Sequence, residues 1–363
     1  MPRTVTTALV AGIAVSLSHG TVSAGDGPAV VASIKPIHSL VAAVMQGVRE
    51  PVLLVQGGGS PHTYALRPSD AAALQSADAV FWVGEELETF LDGPLEALPQ
   101  HATILALADA PGLTLLPSRE GGVWEGHVHD DEQAHEDEHE HEDEHAHEDE
   151  HAHEDEHAHE DEHAHEDEHA HEDEHAHEDE HAHEDEHHHG QIDMHLWLDP
   201  ANAIAMTHAI AGTLAGIDPE HAVDYHANEV ALVERLQALD LQLADELAPL
   251  AGQPYIVFHD AYQYLESVYG LTPAGSITIS PDRPPGAERL TQVRDRIRQS
   301  GALCVFAEPQ FEPRLVATVV EGTEARTATL DPLGAEIADG PDLYFTLLEQ
   351  LGSALSTCVL GSS

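Results

Sequence analysis

Between His127 and His189 the chain repeats His-Ala-His-Glu-Asp-Glu about every six residues and gathers 22 of its 31 histidines, without one Lys or Arg. Neutral imidazole is the commonest metal ligand and suits zinc, copper and nickel. Alternating it with carboxylates, as His135, His139, His141, His145, His147, His151 and His153 begin to do, makes many weak, interchangeable sites for a divalent cation. Zinc is the first expectation. The stretch His135-Glu136-Asp137-Glu138-His139 also spells the zincin pattern HExxH, as do later repeats. That motif works on a packed helix whose apolar face aims both histidines at a catalytic glutamate. Here there is no apolar face and the match recurs with the repeat, so it is compositional.

The charge narrows the partners. The chain carries 67 Asp and Glu against 13 Lys and Arg, a net charge of −54. Removing the tract's 31 acids still leaves 36 against 13. A balance that acidic excludes nucleic acid, whose phosphates require clustered Lys and Arg. With almost no apolar residues the tract cannot offset its ordering entropy, so it is expected to be a disordered loop over 126–190 inserted in the first lobe.

The N-terminus reads as a secretory signal over residues 1–24. Arg3 supplies the positive end, Ala8 to Leu17 the apolar run and Val22-Ser23-Ala24 the small-residue cleavage site. The run is too short to span a bilayer, although an uncleaved anchor is the alternative. No other stretch reads as long and apolar enough, and no lipidation cysteine lies near the cleavage site. The mature protein is therefore expected to be soluble outside the cytoplasm. Cys304 and Cys358 are the only cysteines. In an oxidising compartment such a pair reads as one disulfide tying a strand to the C-terminal helix, with two buried free thiols as the alternative.

Outside the leader and the tract the pattern alternates strands and helices. Val30 to Ile34, Val52 to Val55, Val80 to Val83 and Thr103 to Leu107 read as strands. Ser39 to Gln46 and Ser69 to Ala77 read as helices, the latter capped by Ser69 or Asp70. Asp199-Pro200 opens a helix through about Ala215. A long helix from Pro219 to Pro249 follows, with Val233, Leu236, Leu239, Leu243, Leu247 and Leu250 as its stripe. Strands return at Tyr255 to Phe258, Leu303 to Ala307 and Thr327 to Leu330, with a helix at Ala261 to Tyr269. The expected fold is α/β: two lobes with parallel sheets, 28–217 and 251–363, joined by a linking helix at 218–250.

In open α/β sheets ligands bind beyond the carboxyl ends of the strands. That rule selects His62 after the turn Gly57-Gly58-Gly59-Ser60-Pro61, His195 before Asp199, His259 with Asp260 as the next helix cap, Glu308 and Asp331. Two histidines belong to the first lobe, while His259 and both carboxylates belong to the second, so a cation in the inter-lobe cleft would staple the lobes. Asp331 precedes a proline and could equally be a turn residue. His38 reads as a helix-start residue near the site, whereas His101, His208, His221 and His226 read as surface positions.

Five ordered motifs resemble the ZnuA family, the periplasmic zinc-binding components of bacterial zinc-import ABC transporters. They are Ser60-Pro61-His62-Thr63-Tyr64 with Arg67-Pro68-Ser69-Asp70, Met194-His195-Leu196-Trp197-Leu198, Val257-Phe258-His259-Asp260-Ala261-Tyr262, Cys304-Val305-Phe306-Ala307-Glu308-Pro309-Gln310-Phe311, and Thr329-Leu330-Asp331-Pro332-Leu333-Gly334. The resemblance covers nearly all of the mature chain. It implies zinc held by His62, His195 and His259, a Cys304–Cys358 disulfide, and delivery to a transmembrane permease. It further implies a periplasmic monomer with no enzymatic activity, and a periplasmic zinc chaperone as an additional candidate partner. Some members carry a Glu just before the first ligand histidine. Here that position is Pro61, so the fourth ligand falls to Asp331, Glu308 or water. Three imidazoles with at most one carboxylate favour zinc over manganese. The competing readings are a metal-sequestering, adhesin-like surface protein and a zinc-dependent hydrolase using Glu308 as base, for which no nucleophile motif speaks.

Overall fold

Each of two sheets is built from four parallel strands. A computed structural model describes residues 27–119, 192–278 and 285–361. The leader and the histidine tract, including His135 to His153, lie outside the described residues. In the first lobe β1 (Val30–Ala32), β2 (Val52–Leu53), β3 (Ala79–Trp82) and β4 (Thr103–Ala106) run in the order β2-β1-β3-β4. Val31 pairs with Val52 on one side and Val80 on the other. In the second, β5 (Tyr255–Val257), β6 (Gly275–Ser276), β7 (Cys304–Ala307) and β8 (Arg326–Thr329) run in the order β6-β5-β7-β8. Apolar runs such as Val30-Val31-Ala32 suit strands covered on both faces.

Helix starts depart from the sequence expectation where proline occupies the first turn. Helix α1 (Lys35–Val44) begins four residues before Ser39, with Pro36 in its first turn. Helix α2 (Pro68–Gln75) begins at proline, so neither Ser69 nor Asp70 is its cap. Asp70 is its third residue, where its carboxylate accepts from the Arg67 backbone N–H at 3.0 Å and the Tyr64 hydroxyl at 2.8 Å. Proline lacks the N–H that a first-turn residue cannot use, and its φ is already helical. Short α3 (Asp92–Ala97) leads into β4. Asp199 does cap α4 (Pro200–Ile217), accepting from Ala201 N at 2.7 Å.

The long helix α5 spans Ala222–Leu247, about 39 Å at 1.5 Å per residue. Tyr225 and then Leu232, rather than Val233, open its buried stripe, followed by Leu236, Leu239, Leu243 and Leu247. Helix α6 (Gln263–Tyr269) starts two residues later than expected. Three further helices complete the second lobe: α7 (Ala287–Ser300), α8 (Pro313–Val320) and α9 (Leu343–Leu360).

One apolar cluster runs through both lobes. It joins Ile37 and Leu40 of α1, Met206 and Ile210 of α4, Leu236 and Leu243 of α5, Val257 of β5 and Leu348 and Leu351 of α9. Each such side chain contributes about 1.5–3 kcal/mol on burial. Polar contacts reinforce the joint. Lys35 Nζ donates to Ile337 O at 2.7 Å, and Trp197 Nε1 donates to Pro332 O at 2.8 Å. The Tyr344 hydroxyl donates to Trp197 O at 2.6 Å.

Helix α9 corrects one expectation. By length and composition it is apolar enough to cross a membrane, with a mean hydropathy of 1.2 over 18 residues. Its apolar side is spent in the core, where Leu343, Leu347, Leu348, Leu351 and Leu355 are buried.

Cys304 opens β7 and is disulfide-bonded to Cys358 of α9, with Cα atoms 5.9 Å apart. The bond closes a segment of 54 residues. Replacing both cysteines by alanine should lower the unfolding free energy in urea by up to about 4 kcal/mol, the chain-entropy value for such a loop. A second test uses Glu88, fully buried, whose Oε2 accepts from Val83 N at 2.8 Å and Gly84 N at 2.9 Å. Burial pushes its carboxyl up to about 7, against those hydrogen bonds. A raised native value means the folded chain holds the proton longer than the unfolded chain. The stabilising contribution is present below about 4.5 and is lost as pH rises through 7. Relative to Glu88→Gln, the wild type should therefore lose roughly 3 kcal/mol between pH 4.5 and 8, read from urea midpoints across that range.

Candidate metal centre

Three imidazoles converge from three loops. His259 lies two residues past β5 and Glu308 directly follows β7, the two strands at which the second sheet reverses its winding. His195 opens a 3₁₀ turn, Leu196–Leu198, just ahead of α4. His62 comes from the loop after β2, where Gly57 supplies the left-handed turn at φ 61°. The ring centroids are 5.2 Å apart for His195–His259, 5.7 Å for His62–His195 and 5.9 Å for His62–His259. One nitrogen from each lies within 4.8 Å of the other two.

Carboxylates set the direction of two of these rings. His195 Nδ1 lies 2.7 Å from Asp193 Oδ1, which also accepts the His195 backbone N–H at 3.0 Å. His259 Nδ1 lies 2.8 Å from Glu308 Oε1, and the His259 backbone N–H reaches the same oxygen at 3.3 Å. An ionised carboxylate only accepts, so each neutral ring carries its proton on Nδ1 and its lone pair on Nε2. Those two Nε2 atoms face each other at 3.4 Å. Two ligand nitrogens on a tetrahedral zinc, each at 2.0–2.1 Å, are about 3.3–3.4 Å apart. The pair is thus already at coordination spacing, with lone pairs that repel unless a proton or a cation stands between them. The two buried carboxylates behind the rings balance a dication's charge.

His62 completes the arrangement from the first lobe without a carboxylate partner among the hydrogen bonds of the described residues. Burial, then the neighbouring His195 and His259, push its pKa down to about 2. Burial thus favours its neutral form, which keeps a lone pair to donate. Apolar and aromatic groups wall the pocket: the Trp197 ring is 5.3 Å from His195 and Phe311 is 5.7 Å from His259. Pro61, Pro332 and Leu333 line it as well.

Not every residue selected from the sequence reaches the cluster. Asp331 is a turn residue: its Oδ1 accepts from Leu333 N, Gly334 N and Gln310 Nε2 at 3.0–3.1 Å, and its Oδ2 accepts from Ala335 N. Glu308 meets the far nitrogen of His259 rather than the shared centre. Asp260 does not cap a helix; its carboxylate pairs with Arg119 at 3.0 Å, and burial pushes it up to about 7 even so. His38 is buried within α1, with Nε2 3.1 Å from Pro51 O, and is not a member of the triad. His101, His208 and His226 are exposed as expected, whereas His221 is half-buried and bonds Asp218 at 2.8 Å.

Two contributors escaped sequence reasoning. Asp193 was legible only as an acid two residues before His195. Gly84 was not legible at all: it has φ 159°, a backbone conformation that side-chain-bearing residues rarely adopt, and its N–H holds the buried Glu88 at 2.9 Å just past strand β3.

Two α/β lobes with a histidine cluster between them define a metal-binding solute-binding protein. The chain belongs to the ZnuA family, described as the periplasmic component A of a zinc-uptake complex, whose model matches residues 30–358. It is 51% identical over 340 residues to the high-affinity zinc uptake system protein ZnuA of Brucella abortus, covering 94% of each chain. With the protein of the same name from Paracoccus denitrificans it shares 41% over 333 residues, covering 92% of each. The fold also matches the crystal structure of a ZnuA deletion mutant with zinc bound, at 21% identity and a TM-score of 0.66, covering 93% of this chain and 100% of that one. The family is one of uptake components, not enzymes.

Asp193→Asn and Glu308→Gln keep the shape of each outer partner but replace its charge. Each should weaken divalent-cation binding by roughly 10–100-fold, as loss of an outer-shell carboxylate does elsewhere. Competition between the protein and a chromophoric chelator for zinc measures it, and unchanged affinity in both variants would refute the orienting role.

Proposed function

We propose that the protein captures zinc outside the cytoplasm through His62, His195 and His259, with water as the fourth ligand. It then delivers the ion to the transmembrane permease of an ABC importer. The observation that carries this reading is the 3.4 Å separation of the His195 and His259 Nε2 atoms, each ring backed by its own carboxylate. Three neutral nitrogens in a pocket walled by Trp197 and Phe311 suit zinc better than manganese, which takes more oxygen ligands. Asp331 has its oxygens engaged by backbone N–H groups, and Pro61 offers no donor, which leaves the remaining position to solvent.

The reading extends to segments outside the described residues. A signal peptide at 1–24 exports the chain, and the mature protein acts as a monomer. The tract from His127 to His189 collects zinc weakly, and a periplasmic chaperone is a further candidate partner. Protons compete for imidazole, so collection by the tract fades as pH falls through about 6.5.

Calorimetry and metal analysis with zinc test both parts. The full chain should bind one ion tightly and several weakly. Deleting residues 127–189 should leave the tight site and remove most of the weak ones. His259→Ala should cost the tight site more than roughly 100-fold, beyond the loss expected for an outer partner. Tight binding that survives His259→Ala would refute the triad, and an unchanged stoichiometry after deletion would refute the collecting role. Delivery is tested by growth under zinc limitation, which loss of the protein should impair.

A further inference from the structure

Away from the cleft, α4 and α5 present a second group of metal-ligating side chains. His208 stands on α4, and His226 and Glu229 stand one turn apart on α5. His208 Nδ1 lies 2.6 Å from Glu229 Oε1 and His226 Nδ1 lies 2.9 Å from Glu229 Oε2. One carboxylate thus holds two imidazoles, one with each oxygen. The three line a surface groove together with Val230, Val233 and Glu234. Glu229 is only 16% exposed, while the two rings are 57% and 58% exposed, so the acid is fixed and the rings can turn. None of these residues lines the cleft around His62, His195 and His259.

We propose that His208, His226 and Glu229 form a second, surface site for a borderline divalent cation such as zinc. The two Nδ1 atoms and a Glu229 oxygen bind the ion, and water completes its shell. A tetrahedral ion at 2.0–2.2 Å from its ligands needs ligand separations of about 3.3 Å, so the His208 Nδ1–Glu229 Oε1 contact of 2.6 Å opens by less than about 1 Å, while the His226 ring leaves Oε2 and swings toward the shared oxygen. The two rings must also approach one another, which their exposure permits. The proton balance is simple. In the metal-free protein each neutral ring donates Nδ1–H to Glu229 and leaves its Nε2 lone pair in solvent. On binding, Nδ1 takes the metal and the ring proton moves to Nε2, so no net proton is lost. The ion then clasps α4 to α5 at the surface and adds a site distinct in place and ligand set from the cleft.

Carbethoxylation of histidine in the full chain reads this directly, because the reagent needs a ring nitrogen with a free lone pair. The metal-free rings offer Nε2; the metal-bound rings offer none. Digestion at aspartates and mass spectrometry follow His208 and His226 separately, with exposed His101 as the control. As zinc is raised to about ten times the site's Kd, both should react roughly tenfold more slowly while His101 is unchanged. Glu229→Gln should abolish the protection, and His226→Ala should abolish it at His208. Equal rates with and without zinc, or protection that persists in Glu229→Gln, would overturn the proposal. His62, His195 and His259, followed in the same digests, report the cleft independently, so failure at one site is distinguishable from failure at the other.

Discussion

Two Nε2 lone pairs held face to face at 3.4 Å organise this protein. Nothing in the local chemistry of His195 or His259 favours that arrangement; like lone pairs repel. It exists because Asp193 and Glu308 each hold the opposite nitrogen of their ring, and because both rings are buried. A divalent ion there would turn the repulsion into two coordinate bonds and meet two buried carboxylates already in place. The site is thus organised around a charge that the polypeptide does not itself provide.

The elements that hold it are those of the shared core. His195 sits at the 3₁₀ turn that leads into α4, and Trp197 reaches across to Pro332 and Tyr344 of the other lobe. His259 hangs from β5, whose Val257 belongs to the same apolar cluster as α1, α4, α5 and α9. Close-packed interiors transmit displacement rather than absorb it. The spacing of the two nitrogens is therefore a property of the whole joint, not of one loop.

The third histidine is held differently. His62 stands on a glycine-bearing turn, and its neutrality comes from burial and from the two rings beside it rather than from a bonded acid. In the same way, Glu229 on α5 shows how a single fixed carboxylate can orient two rings at a surface. The molecule thus uses one device repeatedly: an acid that only accepts decides which imidazole nitrogen is left with a lone pair.

Much of this was legible in the residues. Alternating apolar runs and helical stripes determined two parallel α/β lobes and a long helix, because burial on both faces of a sheet and on one stripe of a helix dictates period and composition. Strand-end positions picked out His62, His195 and His259, and the cysteine pair followed from its compartment. Helix starts were misread at Ser39 and Ser69, where a first-turn proline begins the helix earlier. Tertiary structure alone decided the rest: that Asp331 spends its oxygens largely on backbone N–H groups, that Glu308 lies behind His259 rather than at the centre, and that Asp193 orients His195. Sequence reports which groups can bind a metal. Which nitrogen or oxygen faces the centre depends on hydrogen bonds between residues as far apart as His259 and Glu308, and only the folded chain brings those together.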